Sequence, residues 1–441
     1  MFKKLFKAIL TFIAALALFL LLVAAYASRP ELRNYVNKED KSARVEKVEK
    51  VSDDRTHMEI VSQTWQDIEW KHNIEIYTPE GCGNEETAVL YLATFSGEQN
   101  IQEAGLCQMI AKTAKIPVVM LDGIPNQPLF HCVEDRLIAY TIAQTLRTGD
   151  TEWPLLLPMV KSAVAAMKAV RENTKIKSFI VTGVSKRGWT TWLTAAAVPE
   201  MCKAIVPVVY DNLDIPAQMT QQALYFGDLN DAISDYKEID VSRYVDDPLG
   251  RKIIDIMDPY SYLDRITMPK MIFCGTNDPY WTVDSLNLYW NDLKGEKYVT
   301  YYENGGHDLG FLGPDKISPM LKVTKAFTGF VNAVRDDAYP HAEWKYILGN
   351  KAWRLNVVSE DEIVSAKVWR THSSNADFKK AKWTSEEMTK TEKGYTYKLD
   401  APENGCDAFF ADLTVKKGEV TMPMSTQIKV VRGIGTYHGI K

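Results

Sequence analysis

The chain has 441 residues, of which 46% are hydrophobic and 25% are charged, and its formal net charge at pH 7 is -5. A chain of this length and composition can bury one or two full hydrophobic cores, so a globular protein is expected. The slight acidic excess and the lack of a basic run interleaved with aromatic residues exclude nucleic acid as an expected partner.

The N-terminus has the pattern of an export signal. Lys3, Lys4 and Lys7 precede an apolar run over residues 8–25, which is typical of a basic n-region followed by a hydrophobic h-region. Residues 25–27 (AYA) fit a small-x-small cleavage site, but the run is also barely long enough to cross a bilayer. Residues 1–27 are therefore predicted to be a cleaved signal peptide or an uncleaved membrane anchor. Both place the body outside the cytoplasm, either periplasmic, secreted or membrane-anchored.

The chain after this signal divides into a charged segment and an alternating region. Residues 28–56, which include "NKEDKSARVEKVEKVSDDR", are predicted to be a charged linker or an exposed helix. Over residues 57–340, apolar runs such as "TAVLYLATFSG" and "IKSFIVTGVS" have the composition of buried strands. They alternate with helical patterns such as "EDRLIAYTIAQTLRTGD". This alternation predicts an α/β domain, a parallel sheet with helices on both faces.

The alternation is interrupted once and then ends. Residues 212–268 contain acidic, aromatic and proline-punctuated pieces between two strand patterns, which predicts a helical cap inserted over a site. From about residue 341 to 441, short strand patterns separated by turn residues predict a separate all-β sandwich domain that docks on the α/β domain and supplies no catalytic residue. The six cysteines form no C-x-x-C pair or Cys/His cluster, so no metal site is expected.

Ser185 lies in the stretch "TGVSKRGWTTW", between an apolar strand pattern and a helix pattern. A nucleophile elbow has this context, because a sharp strand-to-helix turn lifts the serine hydroxyl above the sheet. Gly183 stands where such a turn needs a small residue. The second glycine, Gly188, comes one residue later than in G-x-S-x-G, and Arg187 takes its usual place. On this motif alone, Ser185 is as well explained as a helix N-cap.

A serine nucleophile needs a base, and the base needs an orienting carboxylate. Asp278 follows the strand pattern "MIFCGTN", and His307 follows "YVTYYENGG". The chain order Ser, acid, His is that of the α/β-hydrolases. Three such residues at successive strand ends therefore predict a triad of Ser185, Asp278 and His307. Asp211, at the end of "IVPVVYD", is the alternative acid.

The remaining site residues are predicted from two places, the residues after Ser185 and the loop that follows the strand pattern "VLYLAT". The backbone N–H of Lys186 is expected to be one oxyanion-hole donor, and the loop around Phe95 and Ser96 is expected to supply the second. A Ser–Lys dyad is disfavoured because neighbouring residues start on different helix faces. Arg187 is interpreted as a solvated or ion-paired charge or, alternatively, as a ligand for a substrate carboxylate.

The substrate cleft is predicted from the residues after the acid and from the cap. Tyr280 and Trp281 come two and three residues after Asp278 and are expected to line the cleft. The cap is acidic, and its carboxylates would attract cationic ligands if they faced the cleft. They are Asp228, Asp231, Asp235, Glu238, Asp240, Asp246 and Asp247.

Four strings together resemble a known family. "GVSKRGWTTW", "EDRLIAYT", "GTNDPYW" and "NGGHD" resemble the PhoPQ-activated pathogenicity-related proteins, which are exported members of the α/β-hydrolase superfamily. The tail strings "SSNADFKKAKW", "DAFFADLTV" and "STQIKVV" are similar to the β-rich C-terminal region of that family. The resemblance implies an elbow of the form G-x-S-K-R-G, and glucuronoyl esterases use a comparable G-x-S-x-x-G turn. It also implies Ser185, Asp278 and His307 as the triad, but no defined substrate.

These patterns predict an exported serine hydrolase that cleaves an ester or amide of a small molecule or peptide, without a metal or an organic cofactor. The family's name refers to a regulon linked to antimicrobial-peptide resistance, and related secreted proteins of amoebae repress proliferation. Two alternatives stay open. One is a peptidase that acts on short cationic peptides, and the other is a non-catalytic secreted signalling or binding protein that keeps the hydrolase fold.

Overall fold

The computed structural model describes residues 31–82, 85–95, 100–241, 245–313, 315 and 317–433. The predicted signal or anchor, including the apolar run at residues 8–25, lies outside these described residues. Within the described ranges, no helix is both long enough and apolar enough to cross a membrane.

The centre of the molecule is a mixed sheet. Its hydrolase strands are β1 (Arg44–Ser52), β2 (Arg55–Trp65), β3 (Ile68–Tyr77), β4 (Thr87–Leu92), β5 (Val118–Leu121), β6 (Ser178–Val184), β7 (Cys202–Val208), β8 (Lys270–Gly275) and β9 (Lys297–Tyr302). They are hydrogen-bonded in the order β1-β2-β3-β5-β4-β6-β7-β8-β9. Strands β4 to β9 are parallel, while β3 runs antiparallel to β5. Among strands β2 to β9, β3 is the one that runs opposite to the others. The strand order and this single reversed strand confirm the predicted α/β-hydrolase fold.

Helices cover both faces of this sheet. They are α1 (Glu31–Asn37), α2 (Ile101–Ala114), α3 (Glu134–Thr148), α4 (Leu156–Asn173), α5 (Lys186–Ala197) and, later in the chain, α9 (Ile317–Asp336). Successive residues of β6 point to opposite faces. Phe179 and Val181 join the core under α4 and α5, whereas Ile180 joins the core under α2 and α9. A strand buried on both faces explains the continuous apolar run that precedes Ser185.

The cap predicted over residues 212–268 consists of short helices between β7 and β8. They are α6 (Ile215–Phe226), α7 (Ser234–Glu238) and α8 (Pro248–Met257). Asp214 caps α6 by accepting a hydrogen bond from a backbone N–H, and α6 ends at Gly227 in the left-handed conformation. Asp247 caps α8 in the same way. The helix boundaries therefore coincide with capping and helix-ending residues that are visible in the sequence.

Strands replace helices after α9. They are β10 (Glu343–Leu348), β11 (Ala352–Val358), β12 (Glu362–Ser373), β13 (Thr384–Glu387), β14 (Thr389–Thr391), β15 (Gly394–Asp400), β16 (Cys406–Lys417), β17 (Val420–Ser425) and β18 (Lys429–Arg432). The sheet β10-β11-β15-β14 packs on the other tail strands, where Tyr346 and Tyr397 contact Phe409 of β16. However, β17 also pairs with β9 through Ser425 and Val299. One layer of the predicted sandwich therefore continues the hydrolase sheet. The prediction of a fully separate domain after about residue 340 is corrected accordingly.

The segment 28–56 is folded where the structure describes it. Helix α1 buries Leu32, Tyr35 and Val36, and β1 pairs antiparallel with β2 at the edge of the sheet. Every residue of β1 is exposed, so its sequence has no buried stripe that would indicate a strand. The linker prediction is therefore corrected to a helix and an edge strand.

Candidate active site

Ser185 occupies the turn between β6 and α5. Its backbone has φ 59° and ψ -118°, a positive-φ conformation that residues other than glycine rarely adopt. Its backbone N–H donates to the carbonyl of Val208 at 2.8 Å, and its carbonyl accepts from the N–H of Trp189 at 3.0 Å. The Ser185 side chain caps no N–H of α5, so the N-cap interpretation is wrong. The turn instead has the strained form of a nucleophile elbow.

Two close backbone approaches account for the displaced glycine. A Cβ atom on Gly183 would lie 2.5 Å from the Cβ of Arg187. A Cβ atom on Gly188 would lie 2.9 Å from the carbonyl oxygen of Val208 in β7. Both separations are shorter than real contacts of a Cβ atom, so glycine is required at each position. The second glycine serves the contact between α5 and β7, and that contact falls at residue 188.

The structure brings Ser185, His307 and Asp278 together. The Nε2 atom of His307 lies 2.8 Å from the Oγ of Ser185, and its Nδ1 atom lies 2.7 Å from the Oδ2 of Asp278. Asp278 follows β8 and His307 follows β9, so both loops leave the same edge of the parallel sheet as the elbow. The other oxygen of Asp278 accepts from the N–H of Tyr280 at 2.9 Å. This sequence of contacts can move a proton from the hydroxyl to the imidazole.

Asp211 does not contact the His307 ring in the described part of the chain. It is buried, and its two oxygens accept from the hydroxyl of Tyr289 at 2.7 Å and from the thiol of Cys274 at 3.8 Å. Burial raises the pKa of Asp211 to about 7 although the Tyr289 hydrogen bond lowers it. The alternative acid is therefore corrected to a buried residue that lies behind the site.

Of the three residues expected to form the oxyanion hole, the structure describes Lys186 and Phe95. The backbone N–H of Lys186 is at the first turn of α5, where unpaired N–H groups and the helix dipole favour negative charge. Phe95 lies after β4 with its side chain 46% exposed, and its carbonyl accepts from the N–H of Gly123 at 3.2 Å. Ser96 lies outside the described residues. Lys186 and the loop at Phe95 stay the candidates for the two donors.

The side chains of Lys186 and Arg187 are committed to ion pairs. The Arg187 side chain is only 3% exposed and donates to both carboxylate oxygens of Glu134. Burial would raise the pKa of Glu134, but the hydrogen bonds and charge of Arg187 lower it to about 2. The Nζ of Lys186 lies 2.9 Å from the Oδ2 of Asp135. The substrate-binding interpretation of Arg187 is therefore corrected to that of a buried ion pair.

A chamber of about 110 Å³ lies between the cap and Ser185. Tyr280 and Trp281 both line it. The Tyr280 ring lies 4.2 Å from the His307 ring, centroid to centroid, and Trp281 packs edge-on against Tyr210 at 5.8 Å. Burial and the charge of Asp135 raise the pKa of Tyr280 to about 12. Tyr280 thus connects the His307 ring to the chamber wall.

None of the seven predicted cap carboxylates lines the chamber in the described part of the chain. The side chains of Asp228 and Asp231 are 71% and 100% exposed and pair with Lys237. Among the described residues, the one acidic side chain that lines the chamber is Asp135, which belongs to α3. The expectation that cap carboxylates attract cations into the cleft is therefore corrected. Within the same described ranges, no group of three His, Cys, Asp or Glu side chains could hold a metal ion.

Two asparagines beside the site were missed by the sequence analysis. The Nδ2 of Asn277, next to Asp278, lies 2.7 Å from the carbonyl oxygen of Ala381 in the tail. The Oδ1 of Asn304 accepts from the N–H of Trp383 at 2.8 Å. The loops that carry Asp278 and His307 are thus both tied to the tail segment 378–383. The position of an asparagine directly before the acid is the signal that could have found Asn277.

Comparison with known proteins gives relatives over most of the chain. A family model described as PhoPQ-activated pathogenicity-related protein matches residues 32–379. The chain is 28% identical over 424 residues to the Autocrine proliferation repressor protein A of Dictyostelium discoideum. The alignment covers 85% of this chain and 84% of that protein.

Among solved structures, the chain is similar to the acetyl xylan esterase from Paenibacillus sp. R4, with 14% identity, 64% of this chain and 88% of that chain covered, and a TM-score of 0.46. It is also similar to acetyl xylan esterase 1 from Thermoanaerobacterium sp. JW/SL YS485, with 12% identity, 70% and 93% covered, and a TM-score of 0.47. The match to residues 32–379 covers most of the chain, and the chain therefore belongs to the PhoPQ-activated pathogenicity-related protein family.

Proposed function

We propose that this protein is a serine hydrolase that cleaves an ester or amide bond with Ser185 as nucleophile. The observation that carries the proposal is the hydrogen-bonded chain from Ser185 through His307 to Asp278, at distances of 2.8 and 2.7 Å. A serine hydroxyl is a weak nucleophile, and an imidazole oriented by a buried carboxylate is the base that activates it. The strained turn at Ser185 and the adjoining chamber support the same reading.

In the proposed reaction, the Oγ of Ser185 attacks the substrate carbonyl carbon while the Nε2 of His307 takes the hydroxyl proton. Asp278 accepts the Nδ1 hydrogen bond and stabilises the imidazolium that forms. The N–H of Lys186 and an N–H from the loop at Phe95 donate to the oxyanion. His307 then gives its proton to the leaving group, and water releases the acyl group by the same route. The scheme requires no metal or organic cofactor.

The same proposal places the folded body outside the cytoplasm. The basic and apolar pattern of residues 1–27 supports export, and the family's name supports a link to virulence or antimicrobial-peptide resistance. N-terminal sequencing of protein recovered from the periplasmic and secreted fractions tests this part. An N-terminus after Ala27 indicates a cleaved signal, and an intact Met1 in the membrane fraction indicates an anchor.

A second candidate function rests on one comparison. The relative from Dictyostelium discoideum is named an autocrine proliferation repressor, which favours a secreted signalling role. If this chain has that role without catalysis, Ser185→Ala keeps the signalling activity in full. If the activity depends on hydrolysis, the same substitution abolishes it.

Hydrolysis of a neutral p-nitrophenyl ester tests the main proposal. Ser185→Ala and His307→Ala should each lower kcat by about six powers of ten. Ser234→Ala is the matched control, because Ser234 is an exposed serine on the cap, and it should keep wild-type turnover. Equal turnover by the wild type and Ser185→Ala would contradict the proposal.

A further inference from the structure

The chamber under the cap has mainly apolar walls. The cap contributes residues such as Met219, Ile233 and Ile253, and the hydrolase domain contributes Ile142 and Trp189. Ile142, Trp189 and Ile253 are each less than 9% exposed and belong to the hydrophobic core. The space that adjoins Ser185 is therefore bounded by hydrocarbon and aromatic rings, which favour an apolar occupant.

Most polar side chains in these walls are paired with protein groups, and the two buried groups without a described partner, the Tyr210 hydroxyl and the Trp281 indole N–H, are neutral. Asp135 accepts from the Nζ of Lys186 at 2.9 Å and from the hydroxyl of Tyr236 at 3.0 Å. Gln222 donates to the carbonyl of Tyr280 at 3.3 Å and accepts from the N–H of Asn230 at 3.1 Å. A charged group that entered the chamber would lose its hydration and find no unpaired opposite charge among the described lining residues, which is unfavourable.

The position of His307 decides which side of the substrate enters. Among the described residues, Ser185 and Lys186 line the chamber, whereas His307 does not. The His307 side chain is 21% exposed, and its ring contacts the ring of Tyr280, which lines the chamber. Because the imidazolium gives its proton to the leaving group, the leaving group has to lie over His307. The chamber, which His307 does not line, is then left for the acyl group.

We infer that the chamber is an acyl-binding site, and that the substrates are esters of uncharged, apolar carboxylic acids longer than acetate. This inference rests on the proposed function. The Oγ of Ser185 bonds to the acyl carbon as the bond to the alcohol oxygen breaks, and the alcohol leaves with the proton from His307. Water then releases the free acid and restores the serine. Each methylene buried in the chamber favours the transition state by up to about fourfold.

A series of p-nitrophenyl esters with one leaving group tests the acyl preference. We expect kcat/KM to rise about two- to fourfold per methylene from acetate to hexanoate. The 6-aminohexanoate ester has a similar length but a terminal ammonium, and its kcat/KM should lie at least about tenfold below that of hexanoate. A series in which acetate is the best substrate overturns the inference. Faster hydrolysis of the 6-aminohexanoate ester also overturns it and favours cationic ligands instead.

Two variants of α6 test whether the chamber itself sets the preference. Met219 lines the chamber, while Leu224 of the same helix is 72% exposed and is not among the lining residues. Met219→Trp should lower the hexanoate-to-acetate ratio of kcat/KM at least about fivefold by filling the chamber, and Leu224→Trp should leave that ratio unchanged. If Met219→Trp does not fold, Met219→Ala enlarges the chamber and should move the optimum to a longer chain. An unchanged ratio in every folded Met219 variant overturns the inference.

The proposed function and the acyl preference fail in different ways. If a fluorophosphonate labels Ser185 and the ester series is flat, the acyl site is wrong and the hydrolase function stands. If neither labelling nor turnover of any ester is found, both are overturned. The acetate ester serves as the internal reference, because its short acyl group reaches Ser185 without filling the chamber.

Discussion

Replacing Asn277 by alanine should slow the reaction more than it weakens substrate binding. The Nδ2 of Asn277 lies 2.7, 3.2 and 3.3 Å from the carbonyl oxygens of Ala381, Lys379 and Phe378. A side-chain amide has two N–H protons for these three acceptors, and the Oδ1 of Asn277 also accepts from the hydroxyl of Thr276 at 2.7 Å. The substitution therefore removes at most three full hydrogen bonds. At about 0.5–1.5 kcal/mol each, the free energy of unfolding should fall by about 1.5–4.5 kcal/mol.

The effect on rate follows from the position of Asp278 beside this contact. The backbone N–H of Asn277 donates to the carbonyl of Gly305 at 2.9 Å, so the loop of the acid and the loop of the base brace each other. Without the tail contact, Asp278 no longer holds His307 in one orientation. A misplacement of about 1 Å costs about a hundredfold in rate. We expect kcat to fall about ten- to hundredfold while KM changes by less than about threefold.

Steady-state ester hydrolysis and urea unfolding of the same preparations measure both quantities. Asn287→Ala is the matched control, because Asn287 also donates to a tail carbonyl, that of Ile428, at 2.8 Å. It has no described contact with Asp278 or His307. Asn287→Ala should lose similar stability and keep its kcat. If Asn277→Ala keeps wild-type kcat, or if both variants lose kcat equally, the positioning argument is refuted.

Three further predictions concern the acid, a buried histidine and the elbow. In an ester-hydrolysis assay, Asp278→Asn should lower kcat by about four powers of ten. Asp211→Asn should keep kcat within about threefold in the same assay, because Asp211 makes no described contact with His307. Burial lowers the pKa of His72 from 6.5 to about 4, so the unfolded chain takes up a proton before the folded one as pH falls. The free energy of unfolding should therefore fall as the pH is lowered from about 6.5 to 4, and it should be about 2 kcal/mol lower at pH 5. Urea unfolding at pH 7 and at pH 5 measures this loss, which should be smaller in His72→Gln. Gly188→Ala should lower the free energy of unfolding by about 1–3 kcal/mol, as measured by thermal unfolding. Gly105→Ala is the control and should not destabilise the protein, because a Cβ added there meets nothing within 4 Å.

The sequence predicted the strand ends and, with them, the residues that meet at the site. Ser185, Asp278 and His307 each follow an apolar run that forms a strand. In a parallel sheet, the carboxyl ends of such strands share one edge. The cap was predictable for a similar reason, since a long insertion between two buried strands has to lie at that edge.

Features that depend on distant partners could not be predicted. Strand β1 reads "RVEKVEKVS", in which valine recurs every third residue and not every second, and all its side chains are exposed. The partner of Arg187 is Glu134, 53 residues earlier in the chain, and no local pattern indicates such an ion pair. The pairing of Ser425 with Val299 likewise has no local signature, so the tail could be predicted as a sandwich but not as a continuation of the sheet.

Covalent labelling with a fluorophosphonate, followed by intact-mass and peptide mass spectrometry, tests the central claim most directly. The reagent bonds to an activated serine and needs no knowledge of the substrate. We predict that one label is added to the wild-type protein, that it lies on Ser185, and that Ser185→Ala and His307→Ala stay unlabelled under the same conditions. A wild-type protein that stays unlabelled, or a label on another residue that persists in Ser185→Ala, would contradict the account.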